Sequence, residues 1–324
     1  MINRRTFALG VASACLLKPS GVLAQTSGRI PRIGVLGTAL TAATQAIPDG
    51  LRDLGWIEGQ TVIIEWRWAR GNPELHTKHA AEFVKMGVDL IYAPDSAQVE
   101  AALSVTRTIP IVFAIHADPL AVGHVASLAR PGGNVTGVAL LITEMATKGL
   151  ELLDETLSGA KRVGVLWNPA FPSHLAALDA LDKAAAALGV ELHRAEARGE
   201  NDYDPAFALL AKAQVSGVVV VPSTLAVKEG EPLAKAALKH MLPTIFAFRQ
   251  NAERGGLMSY GPDLRDALRR STVYIDRILR GANPAELPID QAVRFELTVN
   301  LQTARTLGLS VPSAVLARAD EVIE

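Results

Sequence analysis

Cysteine is nearly missing from this chain, which carries Cys15 alone among 324 residues. That excludes a disulfide framework and cysteine-built zinc sites. An excess of either charge is missing too, since 32 Lys and Arg meet 33 Asp and Glu for a formal net charge of −1. Such a balance offers no basic footprint, and no nucleic-acid partner is expected. Aromatic residues make up only 5%. Catalytic signatures are absent. There is no glycine loop ending in Lys-Ser or Lys-Thr, no G-x-S-x-G elbow and no H-E-x-x-H helix. The expectation is a protein that is not an enzyme, without catalytic residues, metal or cofactor. His76 and His79 have a helical spacing open to a metal ion, but only scattered acids accompany them, so packing or surface roles are expected.

What is present begins with a targeting pattern. Arg4-Arg5-Thr-Phe7 precedes an apolar run from Phe7 to Leu17, too short to span a bilayer, and Val22-Leu23-Ala24 is a small-residue cleavage site. Residues 1–24 are therefore expected to be a signal peptide, with the twin-arginine route suggested by the paired arginines and a periplasmic destination. A general secretory signal that happens to carry two arginines is the alternative. Lipidation at Cys15 fits poorly, because Ala12-Ser13-Ala14 lacks the usual upstream leucine. Cleavage after Ala24 leaves 300 residues, removes Cys15 and takes the formal charge from −1 to −4 by loss of Arg4, Arg5 and Lys18. No later apolar stretch reaches membrane-spanning length.

The remaining chain repeats itself. Arg32-Ile-Gly-Val-Leu36 returns as Arg162-Val-Gly-Val-Leu166, and Leu54-Gly55 as Leu188-Gly189. Arg70-Gly71 returns as Arg198-Gly199, the run ending at Pro94 as the run ending at Pro222, and Ile109-Pro110 as Leu242-Pro243. Five echoes in one order, offset by 128 to 134 residues, indicate a duplicated unit. Each half alternates short β-branched runs with stretches of helical periodicity. Strands are expected at 33–36, 61–66, 90–93, 111–114 and 136–140, then at 163–166, 190–195, 217–221 and 244–248. Helices are expected at 42–54, 74–86, 98–106, 175–188, 205–213, 232–240 and 262–280, with a strand at 289–299 and a short helix at 301–307.

This pattern implies an α/β fold of two Rossmann-like lobes with parallel sheets joined by a hinge. The expected division is residues 30–137 with 261–287 for lobe 1, and 138–260 with 288–324 for lobe 2. The chain would cross near Val138, Tyr260 and Leu287. In such sheets a ligand sits beyond the carboxyl ends of the strands. The strand-end loops supply the candidate ligand-binding residues: Thr38, Ala39, Ser96, His116 and Asp118 in lobe 1, and Asn168, Phe171, Ser223 and Thr224 in lobe 2, with Tyr260 at a crossing. Thr38, Ser96, Ser223 and Thr224 precede expected helices, where they can cap the helix or join free N–H groups in holding a carboxylate. Trp167 and Phe171 can wall an apolar ligand, or Trp167 can cap the lobe 2 core. His116 and Asp118 end an apolar strand and can face a ligand or hold a loop. Arg130-Pro-Gly-Gly-Asn134 reads as a tight loop rather than a phosphate cradle, since no lysine and no long helix follow.

Five segments carry a resemblance: Gly55-Trp-Ile-Glu-Gly59, Ile109-Pro-Ile-Val-Phe113, the run from Ser127 to Gly137 (SLARPGGNVTG), Gly256-Leu-Met-Ser-Tyr-Gly261 and the C-terminal run from Leu316 to Glu324 (LARADEVIE). In these the chain resembles the tryptophan-type ABC transporter substrate-binding proteins, a branch with the type I periplasmic binding protein fold. The resemblance spans residues 25–324. It implies a solute-binding subunit that delivers a small organic ligand, an amino acid or aromatic carboxylate, to an ABC permease in the membrane. A monomer is expected. A periplasmic sensor component and an α/β enzyme remain alternatives at this level.

Overall fold

The computed structural model describes residues 29–37, 43–70, 72, 74–223, 226, 228–291 and 294–324. The expected signal segment, with Cys15, lies outside the described residues, as do Thr38, Ala39 and Thr224.

The first half folds as β1 (Arg32–Gly37), α1 (Ala46–Asp53), β2 (Ile63–Trp68), α2 (Glu74–Met86), β3 (Leu90–Tyr92), α3 (Ser96–Leu103), β4 (Ile111–His116) and β5 (Val135–Ala139). After α4 (Ile142–Thr156) come β6 (Arg162–Trp167), α5 (Ser173–Leu188), β7 (Glu191–Glu196), α6 (Glu200–Lys212) and β8 (Gly217–Val220). The second half closes with α7 (Gly230–Lys239), β9 (Thr244–Phe246), α8 (Arg249–Glu253) and β10 (Met258–Pro262). The tail adds α9 (Leu264–Leu279), β11 (Asp290–Gln291), β12 (Phe295–Asn300), α10 (Leu301–Thr306), α11 (Ser313–Leu316) and β13 (Glu321–Ile323).

Two sheets result. One has the order β11-β5-β4-β3-β1-β2, the other β13-β12-β10-β9-β8-β6-β7. Every pairing is parallel except β10 with β12. The shared order inside each half follows from the sequence duplication, because Arg32 and Arg162 open equivalent strands, each next to the edge of its sheet. Side chains alternate across each strand, so both faces must be covered. Leu90 and Tyr92 face the layer of Ile47, Leu51, Leu268 and Ile275, whereas Ile91 and Ala93 join Phe83, Val99 and Leu103. In the second sheet Val163 and Val165 meet α4 and α5, while Val218 and Val220 meet Phe207 and Leu233.

The helix α9 covers the first sheet although it follows the second in sequence. Its Ser271 Oγ lies 2.7 Å from the hydroxyl of buried Tyr92, and its Asp276 accepts the indole N–H of Trp56 at 2.9 Å. The chain thus crosses between lobes after β5, after β10 and after β11. The third crossing falls later than the expected position near Leu287. Ile289 is buried with the lobe 1 core and donates to the Leu128 carbonyl at 2.8 Å, and Asp290 and Gln291 extend the first sheet beside Val138 and Ala139. The single strand expected at 289–299 is therefore two strands in different sheets. The helix α4 was not anticipated, although Ile142, Met145, Ala146, Gly149, Leu150 and Leu153 are buried at helical spacing.

The crossings are tight. Leu141 takes φ 58°, a left-handed conformation that costs on the order of 1–2 kcal/mol, and buried Leu140 and Ile142 hold it on either side. Gly137 and Gly261, the fifth-strand glycines of the two halves, lie against a neighbouring strand. A Cβ would stand 2.0 Å from the Phe113 carbonyl oxygen at Gly137 and 1.9 Å from that of Ala247 at Gly261.

Candidate functional site

The carboxyl ends of both sheets open on one cavity of about 870 Å³. That volume suits a small organic ligand. Lobe 1 contributes Ile47, Trp66, Asp95, Ser96, Glu100 and His124 to its wall, and lobe 2 contributes Phe171, Ser173, His174, Ser223, Lys228, Phe248 and Arg254. Leu140, Ile142 and Leu264 line it from the crossings themselves. A ligand there touches both lobes and the segments between them.

Of the expected contacts, Ser96, Phe171 and Ser223 line this cavity. Ser223 also caps its own loop, accepting the Ala226 N–H at 3.1 Å. The remaining described candidates sit elsewhere, each for a local reason. His116 is fully buried, its ring held between Ser96 and His124. The carboxylate of Asp118 is occupied by the N–H groups of Leu120 and Ala121, at 3.1 and 2.9 Å. Asn168 is buried, its side-chain oxygen accepting from Ala170 N–H at 2.9 Å. Tyr260 stacks on Phe295 with ring centroids 5.6 Å apart, bracing the antiparallel pair β10–β12. Trp167 packs on the lobe 2 core, so the capping alternative describes it.

The N-terminus of helix α3 is capped from within the chain. Asp95 fills that position as a capping box, accepting the Gln98 N–H at 3.0 Å while the Gln98 side chain accepts the Asp95 N–H at 3.2 Å. Burial raises the Asp95 carboxyl above its ordinary value despite those hydrogen bonds.

Two braced rings face the cavity from opposite lobes. Trp66 stacks on Trp68 at 5.0 Å and 8°, and Phe171 stacks on His174 at 5.3 Å and 25°. His174 in turn ties two strand-end loops together. Its Nδ1 accepts the Asn168 N–H at 3.1 Å, and its Nε2 donates to the Pro222 carbonyl at 3.1 Å. Burial drives this ring down to about 4, so it is neutral at neutral pH. A ring held at both nitrogens fixes the plane on which Phe171 rests.

Trp66, His124, Glu100, Lys228 and Arg254 were not anticipated. Trp66 had a readable signal, since it alternates with Glu65 and Arg67 in a strand. Lys228 and Arg254 had none, because their approach to the cavity depends on how lobe 2 folds. No group of three or more His, Cys, Asp or Glu able to hold a metal occurs among the described residues, and none of their helices is long and apolar enough to cross a membrane.

Comparison with known proteins agrees with this architecture. A conserved domain protein from Vibrio cholerae superposes with a TM-score of 0.83 at 28% identity, over 91% of this chain and 100% of that one. The ABC domain from Streptococcus pneumoniae in complex with L-Trp superposes at 0.82 with 22% identity, over 91% and 100%. The tyrosine-binding protein of Clostridioides difficile (strain R20291) is 25% identical over 276 residues, 85% of this chain and 79% of that protein. The family model described as ABC transporter substrate binding protein matches residues 33–323. With two facing α/β lobes, one shared cavity and that match over nearly its whole length, the chain belongs to the ABC transporter substrate binding protein family.

Proposed function

We propose that the protein captures an aromatic amino acid or a related aromatic carboxylate in the cavity between its lobes and presents it to an ABC permease. The observation that carries this reading is the pair of braced rings, Trp66 on Trp68 and Phe171 on His174, facing one cavity from opposite lobes. Rings held in place by such stacking offer a flat apolar ligand contact at little cost in side-chain entropy. Charged residues at the same cavity, Asp95 and Glu100 on one lobe and Lys228 and Arg254 on the other, suit a zwitterion. The names of two relatives, one tyrosine-binding and one held with L-Trp, support the same ligand class.

A ligand that touches both lobes stabilises only the closed arrangement, so binding and closure are linked. A micromolar ligand supplies about 8 kcal/mol, ample for a balance of a few kcal/mol between open and closed states. The test is calorimetric titration of L-tyrosine, L-tryptophan and L-phenylalanine, with L-leucine and glucose as controls. The expected result is micromolar, one-to-one binding without turnover for at least one aromatic amino acid, with a smaller radius of gyration on saturation. Binding of leucine or glucose alone refutes the aromatic reading.

The same reading places the protein outside the cytoplasmic membrane, where substrate-binding proteins of ABC transporters generally work. Residues 1–24 serve as its signal, with Gln25 the mature N-terminus. Replacing Arg4-Arg5 by Lys-Lys blocks export if the twin-arginine route is used, and unimpaired export of that variant excludes the route.

A further inference from the structure

Beside the cavity runs a line of four side chains that ends on both sides in its wall. Ser96 Oγ lies 3.2 Å from His116 Nδ1, His116 Nε2 lies 2.8 Å from His124 Nδ1, and His124 Nε2 lies 2.6 Å from Glu100 Oε2. Ser96, His124 and Glu100 line the cavity, while His116 is buried behind them.

The chemistry of the two ends sets the direction of the line. An ionised carboxylate only accepts, so His124 must carry its proton on Nε2. If that is its only proton, His124 Nδ1 is bare and accepts, and His116 carries its proton on Nε2. Burial drives the His116 ring down to about 3, so it holds one proton only. Its Nδ1 is therefore bare and accepts the Ser96 hydroxyl proton. The same Ser96 oxygen accepts the Ala117 N–H at 3.0 Å. A hydroxyl has one proton and two lone pairs. The proton is turned inward and one lone pair is used, which leaves one lone pair.

The geometry points to a ligand-selecting relay, in which Glu100, His124 and His116 hold Ser96 as a hydrogen-bond acceptor so that the lobe 1 wall takes the N–H-donating, cationic head of the ligand. His116 and His124 are positioning residues here; Ser96 and Glu100 are the groups that meet the ligand. Asp95, also in this wall, adds a second carboxyl beside Ser96. The carboxylate of a zwitterion is then turned to lobe 2, where Lys228 and Arg254 stand. This assigns an orientation opposite to one in which the α3 terminus holds the carboxylate. It rests on the reading that the cavity is the ligand site.

The test compares the two halves of one probe. Tryptamine keeps the ammonium of tryptophan and lacks the carboxylate, and indole-3-propionate does the reverse; hexylamine and hexanoate repeat the contrast without a ring. The parent protein is expected to bind each amine at least tenfold more tightly than its matched acid. Ser96→Ala lowers amine affinity at least fivefold and leaves the acids unchanged. Glu100→Gln frees the relay to run either way, so amines weaken and, in addition, acids gain. Loss for the amine without gain for the acid would mean that Glu100 acts through its charge alone, and would overturn the relay. Nitrogen-15 spectra of the ligand-free protein read the tautomers directly: both rings are expected as Nε2–H, and a protonated Nδ1 on His116 overturns the proposal. Hexylamine binding with no indole probe bound would refute the aromatic ligand and leave the acceptor wall standing. Tighter binding of either acid by the parent, or no binding by any probe, refutes the acceptor wall itself.

Discussion

Acidification should unfold this protein through two buried histidines, and one of them can be isolated. His174 has an ordinary value of 6.5 that falls to about 4 in the fold, chiefly through burial. A second proton on this ring would have to sit at Nδ1, against the Asn168 N–H that already points there. The folded state therefore keeps the ring neutral while the unfolded chain takes up a proton below pH 6.5. Stability from this group is complete above 6.5, is lost as the pH falls, and stops falling near 4, where the folded ring also charges. At pH 4.5 the loss amounts to about 2.5 kcal/mol. His116, driven to about 3, adds a similar loss and brings the pair to about 5 kcal/mol, comparable with the whole stability of many domains. His174→Gln keeps one acceptor and one donor for Asn168 and Pro222 but cannot titrate. Urea unfolding followed by tryptophan fluorescence at pH 7.5, 6.0 and 4.5 gives the free energies. The variant starts lower by about 1 kcal/mol, from imperfect hydrogen bonds. Its further loss down to pH 4.5 should be smaller than the parent's by about 2.5 kcal/mol. Parallel losses would show that His174 is not held neutral, and would remove the physical basis for a fixed Phe171 plane.

Asp95 titrates in the opposite sense. Burial raises its folded value above 3.8, so its ionised form costs stability at neutral pH, and Asp95→Asn should unfold at a higher urea concentration at pH 7, the advantage vanishing below pH 3.8. An unchanged urea midpoint at pH 7 would refute it. The close approaches at Gly137 and Gly261 predict that alanine at either costs about 3 kcal/mol or more, since each Cβ would overlap a carbonyl oxygen. Gly55→Ala, with open space around it and φ +89°, should cost about 1 kcal/mol. Equal losses at all three positions in urea unfolding would contradict the packing argument.

The sequence by itself determined the duplication, the alternation of strand and helix and the side of each sheet on which the cavity opens. These follow from local periods and from rules that connect neighbouring elements. Residues placed directly at strand ends were legible for the same reason, and Ser96, Phe171 and Ser223 stand on the cavity wall as that reasoning expects. His116 shows its limit: a residue can end the right strand and still turn inward, because the register shift between Phe113 and His116 sets its ring against that of Phe113, 5.0 Å away. Helix α4 was concealed by its place at a crossing, outside the five sequence echoes. Only the tertiary structure decided that β11 and β12 part company, and that Trp66, Lys228 and Arg254 meet across one cavity. It alone decided the line from Ser96 to Glu100. Those four residues lie on three separate segments, and whether a hydroxyl gives or takes a hydrogen bond depends on partners brought there by packing, which no spacing along the chain encodes.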